Sequence, residues 1–119
     1  MSTSTTVAQA NVDTTAYEPY LAFDAVLSGD PAARVAWLRT TSGGEGVLYT
    51  GMFTAQPSMF RYSFAGDESM LVLEGDLDVA VDGGATLTFR AGDTASFPKG
   101  VRSTWTLRAP LRKFFVISG

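Results

Sequence analysis

The chain of 119 residues has no cysteine and no histidine. Without cysteine no disulfide can form, and no zinc site built on thiolates can exist. Without histidine, imidazole ligation and Ser-His-Asp or Cys-His catalysis are excluded. Acid–base chemistry here must rest on carboxylates, tyrosine, lysine or bound water. Charge is sparse too: 18% of residues are Asp, Glu, Lys or Arg, and the net charge is −3. A nucleic-acid partner, which needs clustered Lys and Arg to displace phosphate counterions, is not expected. No window approaches 18 consecutive apolar residues, so no membrane-spanning helix is expected. The opening MSTSTTVAQANVDTT lacks the basic start and apolar centre of a signal peptide, which makes a cytoplasmic protein the expectation.

What is present is turn chemistry and short alternation. Residues 1–16 are Ser/Thr-rich with no large apolar residue except Met1, and read as a flexible N-terminal tail or an arm docked on a partner. Residues 17–119 read as a single domain. Tyr17–Leu27 is expected to form a short helix or an edge segment, followed by a turn at Ser28–Pro31. Strands are expected at 34–40, 47–55, 59–64, 69–73, 77–81, 85–89, 94–97, 102–108 and 111–118, separated by glycine-bearing turns. Ala65–Glu68 reads as a turn, Asp82-Gly83-Gly84 as a hairpin turn, and Gly51 as a bulge or a point of close backbone approach. Many short strands with little helical period indicate an all-β antiparallel sandwich or barrel.

Two segments are informative together. One is Glu68-Ser-Met-Leu-Val-Leu-Glu-Gly75, the other Gly92-Asp-Thr-Ala-Ser-Phe-Pro98-Lys-Gly100, with the expected hairpin Leu77–Phe89 between them. This pair resembles the two motifs of the cupin superfamily. The longer string adds Phe60-Arg-Tyr62, Asp82-Gly-Gly, Trp105 and Arg112-Lys113-Phe-Phe. It is similar to the cupins that include ureidoglycine aminohydrolase domains and ethanolamine-utilisation cupins. The resemblance spans roughly residues 45–117 and implies a single small antiparallel β-barrel of jelly-roll form and a homodimer. The alternating Val35–Trp37 strand is the expected dimer surface. Metal-binding cupins carry two His and a Glu in the first motif and a His in the second. Those His positions fall here on Arg61 and Ser63, or on Tyr62 and Phe64, and on Ser103. Only Glu68 survives, and one carboxylate does not hold a transition metal. No metal and no cofactor are expected, and the aminohydrolase reaction is not expected.

Glu68 is a candidate general base if it faces the interior, or else the structural partner of an arginine or lysine. Only one of Arg61 and Tyr62 can face inward; Tyr62, in parity with Phe60 and Phe64, is the expected one. Lys113 shares parity with Leu111, Phe115 and Ile117, and an inward lysine needs a carboxylate partner, for which Glu68 is the candidate. The candidate catalytic set is therefore Glu68, Tyr62 and Lys113. The candidate ligand-binding set is Phe60, Tyr62, Phe64, Met70, Phe97, Arg102, Ser103 and Trp105, where the aromatics serve either as stacking surfaces or as core. Three functions fit: a metal-free module binding a small polar or aromatic metabolite; a metal-independent isomerase, cyclase, lyase or hydrolase using Glu68 with Tyr62 or Lys113; and a dimeric interaction protein with a filled interior.

Overall fold

A computed structural model describes residues 7–13, 16–21 and 23–119. Of the expected tail, residues 1–6, 14 and 15 lie outside the described residues, whereas 7–13 and 16 are exposed. Eleven strands are described: β1 (Glu18–Pro19), β2 (Ala25–Gly29), β3 (Arg34–Arg39), β4 (Leu48–Ala55), β5 (Ser58–Ser63), β6 (Asp67–Glu74), β7 (Asp76–Val81), β8 (Thr86–Arg90), β9 (Thr94–Phe97), β10 (Arg102–Leu107) and β11 (Leu111–Ser118). They form two antiparallel sheets, ordered β1-β3-β4-β11-β6-β9 and β2-β5-β10-β7-β8. This is the all-β, two-sheet form consistent with a cupin jelly roll. The sandwich-or-barrel expectation holds at the level of an all-β antiparallel fold; the strands are described as two sheets and not as one closed barrel. The chain changes sheet at turns, such as Gln56–Pro57 between β4 and β5 and Pro98–Gly100 between β9 and β10, where ladder hydrogen bonding is interrupted. Proline, with no N–H, cannot continue a ladder.

One apolar core lies between the sheets. Val35, Phe53, Val72 and Phe115 come from the six-stranded sheet, and Phe60, Leu77, Val79 and Trp105 from the five-stranded one. Strand alternation explains the selection: in β11, Leu111, Lys113 and Phe115 are buried while Arg112 and Phe114 are half-buried on the opposite face. Aromatic pairs fill the space. Phe60 stacks on Trp105 with centroids 5.9 Å apart, and Phe64 on Phe97 at 4.5 Å.

One sequence expectation holds in part and one needs correction. Of the two forms expected for Tyr17–Leu27, the edge segment is the one seen: it contains β1 and the start of β2, each the outermost strand of its sheet, with Tyr20 N–H donating to the Ala33 carbonyl and Asp24 N–H to that of Arg61. Ala65–Glu68 is not wholly a turn, because β6 begins at Asp67. Glu68 is therefore a strand residue, paired with Phe97 and Ile117, and its side chain is aimed by the pleat rather than by a loop. Gly51 behaves as expected of a close approach. A β-carbon there would collide with the carbonyl oxygen of Ala36 across the β3–β4 ladder, beside a register shift between Trp37 and Arg39. The hairpin at Asp82-Gly83-Gly84 closes with Gly84 N–H donating to the Val81 carbonyl, and Gly83 adopts φ 71°.

Candidate functional site

Three polar side chains meet inside the core. Lys113 Nζ lies 3.0 Å from Glu68 Oε2, and the Tyr62 hydroxyl donates to Glu68 Oε1 at 2.8 Å. Glu68 is 3% exposed and Lys113 5%, so the ion pair is essentially removed from water. Its geometry follows from register. Lys113 pairs with Val72 on β6, four residues from Glu68. That separation is about 13 Å along the strands, so the two side chains must lean toward each other to meet. Tyr62 comes from β5 in the opposite sheet, so the group also bridges the two layers.

The walls are aromatic. The Lys113 ammonium sits 4.6 Å from the centroid of the Trp105 ring and 5.1 Å from that of Phe53, an arrangement in which ring faces stabilise the cation. The Trp105 indole N–H donates to Ser103 Oγ at 3.0 Å, and Ser103 Oγ donates to the Tyr62 carbonyl at 2.8 Å. Trp105 is thereby fixed in orientation. Burial, reinforced by the negative charge of Glu68, holds the Tyr62 phenol far above its ordinary pKa. Burial and then Glu68 also raise that of Tyr20, a shift that hydrogen bonding with Tyr62 partly offsets. Both phenols are neutral throughout the physiological range, and Tyr62 donates to Glu68.

Against this group lies a cavity of about 20 Å³, the room needed by a single water molecule. Tyr20, Tyr62, Glu68 and Lys113 give it polar walls; Phe23, Phe53, Phe60 and Trp105 give it aromatic ones. Val35, Phe115 and Ile117 complete the lining. Tyr20 and Phe23 cover it from the segment before β2; their rings pack edge-on against Phe53, and Phe23 lies 4.3 Å from Phe60.

The structure therefore brings Glu68, Tyr62, Lys113, Phe60 and Trp105 together. Phe64, Met70 and Phe97 are buried elsewhere in the core and do not line the cavity. Ser103 does not line it either; it is fully buried and positions Trp105. Arg102 is exposed, away from the group. Arg61 points outward, where it makes a two-pronged contact with Asp82 at 2.7 and 2.6 Å. Val35 faces the cavity rather than solvent, and the Trp37 indole is tied to Glu18 Oε1 at 3.0 Å. Sequence reasoning missed Tyr20, Phe23, Phe53 and Phe115. Parity with Lys113 could have found Phe115, and nothing local could have placed Tyr20 and Phe23.

The donor set does not fit a transition metal. Both oxygens of Glu68 are engaged, one by an ammonium that repels a cation. Among the described residues no three His, Cys, Asp or Glu side chains are grouped to hold a metal ion. The described residues also contain no helix long and apolar enough to cross a membrane.

The all-β fold of two antiparallel sheets is consistent with a cupin-type protein. Residues 42–115 match the EutQ-like cupin domain family, and the chain belongs to it. It is similar to a putative ethanolamine utilization protein Q from Salmonella typhimurium LT2, at 27% identity and a TM-score of 0.63, covering 72% of this chain and 68% of that one. It is similar to the Clostridium difficile EutQ protein at 23% identity and a TM-score of 0.63, covering 72% and 67%. A protein of unknown function from Pseudomonas syringae pv. tomato superposes with a TM-score of 0.76 at 23% identity, over 87% of this chain and 45% of that one. No functionally curated protein matches the sequence.

Proposed function

We propose that this EutQ-like cupin is a metal-free binding protein for a small polar or aromatic molecule that contacts Glu68, Lys113 and Tyr62. The observation carrying this reading is the ion pair itself, 3.0 Å long and 5% exposed or less at each end. A two-sheet sandwich needs only apolar side chains between its layers. Replacing a buried ion pair by well-packed apolar residues is often neutral or stabilising, so stability alone gives no reason for one here. The void of about 20 Å³ accepts one water. A larger ligand must displace Tyr20 and Phe23, the two covering rings, and would then stack on Trp105 and meet the free N–H groups of Lys113.

The chain has two tryptophans, Trp37 and Trp105, and their indole N–H signals are separate probes. Small polar and aromatic metabolites titrated into nitrogen-15-labelled protein should include one that moves the Trp105 indole signal most, with a smaller shift of Trp37, whose ring packs edge-on against that of Tyr20. Binders that move only Trp37 would place the site elsewhere.

A second reading, a metal-independent isomerase, cyclase, lyase or hydrolase, draws on one observation. A carboxylate stands within hydrogen-bonding distance of both an ammonium and a phenol. In such a reaction Glu68 is the base, and Lys113 or Tyr62 the acid. The filled interior supports the third reading, an interaction protein, whose function would lie on the outer surface. The aminohydrolase reaction of the resembled cupins is not proposed, because their histidine positions fall here on Arg61 and Ser63, or on Tyr62 and Phe64, and on Ser103.

A further inference from the structure

Among the described residues seven ion pairs form, and six of them use arginine. The exception is the buried one, Lys113 with Glu68. Anchoring a carboxylate away from water favours the opposite choice. A guanidinium is more weakly hydrated than an ammonium and offers five donors in a fixed fork. What lysine offers instead is a proton it can lose and, behind it, a nucleophilic nitrogen. Lys113 has the setting for that role. Its strand, β11, lies between β4 and β6, so ladders on both sides fix its backbone. Among the described residues its Nζ has one hydrogen-bond partner, Glu68 Oε2. The rest of the ammonium faces the rings of Trp105 and Phe53, and the small void lies against it. The chain's other lysine, Lys99, is exposed in the turn before β10.

We propose that Lys113 forms a reversible imine with an uncharged aromatic aldehyde. The proposal rests on the reading of this cavity as a ligand site and names the class of ligand it takes. One ammonium proton first passes to Glu68 Oε2 across the 3.0 Å hydrogen bond, leaving a neutral amine. Burial narrows the gap between a charged pair and its neutral form, because both charges have lost their water. The amine lone pair then bonds to the aldehyde carbon, and the carbonyl π electrons move to oxygen. A proton moves from nitrogen to that oxygen, giving a carbinolamine. Glu68 returns its proton to the new hydroxyl. The C–O bond breaks, water leaves with the bonding electrons, and the nitrogen lone pair closes the C=N bond. The product is a protonated imine beside the Glu68 carboxylate, so one ion pair replaces another. Two nitrogen hydrogens leave with the oxygen, and the void has room for that one water. The aldehyde's ring takes the place of Tyr20 and Phe23 and stacks on Trp105, whose face stabilises the iminium as it does the ammonium. A charged carboxylate on the ligand would instead meet that of Glu68.

Benzaldehyde and its para-hydroxy derivative, incubated with the full chain near neutral pH and reduced with sodium cyanoborohydride, test this. Reduction turns an imine into a stable secondary amine, and peptide mapping by mass spectrometry shows which lysine carries the added benzyl group. Lys113, although buried, should be labelled faster than Lys99 by on the order of 10-fold or more. In urea, where both side chains face water, the preference should vanish. Lys113→Arg keeps a cation beside Glu68 but has no primary amine, and should lose the fast label while keeping the slow one at Lys99. A folded wild type labelled on Lys99 and not on Lys113 would overturn the proposal, as would equal rates at the two. The Trp105 indole signal then separates the two failures. If the aldehyde moves it without labelling Lys113, the ligand site stands and the imine falls. If the signal stays in place, aldehydes do not enter, the imine falls, and the other metabolites decide the ligand site.

Discussion

Glu68, Lys113 and Tyr62 form one coupled unit, and substitutions should reveal it. Glu68→Gln leaves the Lys113 ammonium buried without its counter-charge, and Lys113→Met leaves the carboxylate so. Each should cost about 3–5 kcal/mol in urea unfolding. The double variant Glu68→Gln/Lys113→Met should recover most of that loss, because both charges are gone. Two near-neutral single variants would mean that the pair is not formed in solution. Tyr62 makes a separate prediction through pH. Its phenol is held above the unfolded-state value of about 10, so the neutral form is favoured by folding. That contribution is complete below pH 10 and is lost as pH rises beyond it, since the unfolded chain releases its proton first. Stability should therefore fall above pH 10, and Tyr62→Phe should make that fall shallower. An unchanged slope in Tyr62→Phe would assign it to other groups, Tyr20 first among them.

At the scale of strands, the β3–β4 pairing depends on Gly51. Gly51→Ala would push a β-carbon into the Ala36 carbonyl, at a cost of about 1–3 kcal/mol, visible as a lowered melting temperature. A variant as stable as wild type would show that β3 can shift away. Most elements between Arg34 and Ser118 were legible in the sequence. Alternation such as Phe60-Arg61-Tyr62 or Leu111 to Ile117 fixes strand type and facing together, and glycine turns fix the breaks. Parity points Tyr62 inward in that way, whereas for Lys113 it leaves an inward lysine and a bulged or snorkelling one both open. What failed did so where local chemistry misleads. Asp67-Glu68 looks like turn sequence, yet ladder bonding to β11 and β9 draws it into β6. Tyr17–Leu27 has no clear period, because its register is set by distant partners in β3 and β5. The cover formed by Tyr20 and Phe23 is therefore out of reach of local pattern.

At the scale of the whole molecule, two sheets are joined by an apolar core with one polar unit at its centre. The segment before β1 adds little to that. Its described contacts include the exposed ion pair between Asp13 and Arg112 at 2.9 Å, and such pairs contribute about 0–1 kcal/mol. Removing residues 1–16 should leave the melting temperature nearly unchanged, whereas a drop of several degrees or a loss of dimer would identify a docked arm. The central claim concerns the unit inside: Glu68 and Lys113 are there for a ligand. A thermal-shift screen of small polar and aromatic metabolites, run in parallel on wild type and on Glu68→Gln/Lys113→Met, tests it most directly. Ligand at 100 times its dissociation constant stabilises by about 2.7 kcal/mol, a shift of several degrees in a chain of this size. The account predicts at least one compound that raises the melting temperature of wild type and not of the double variant. Hits that stabilise both proteins equally, or no hit on a wild type that binds nothing in the screen, would contradict it.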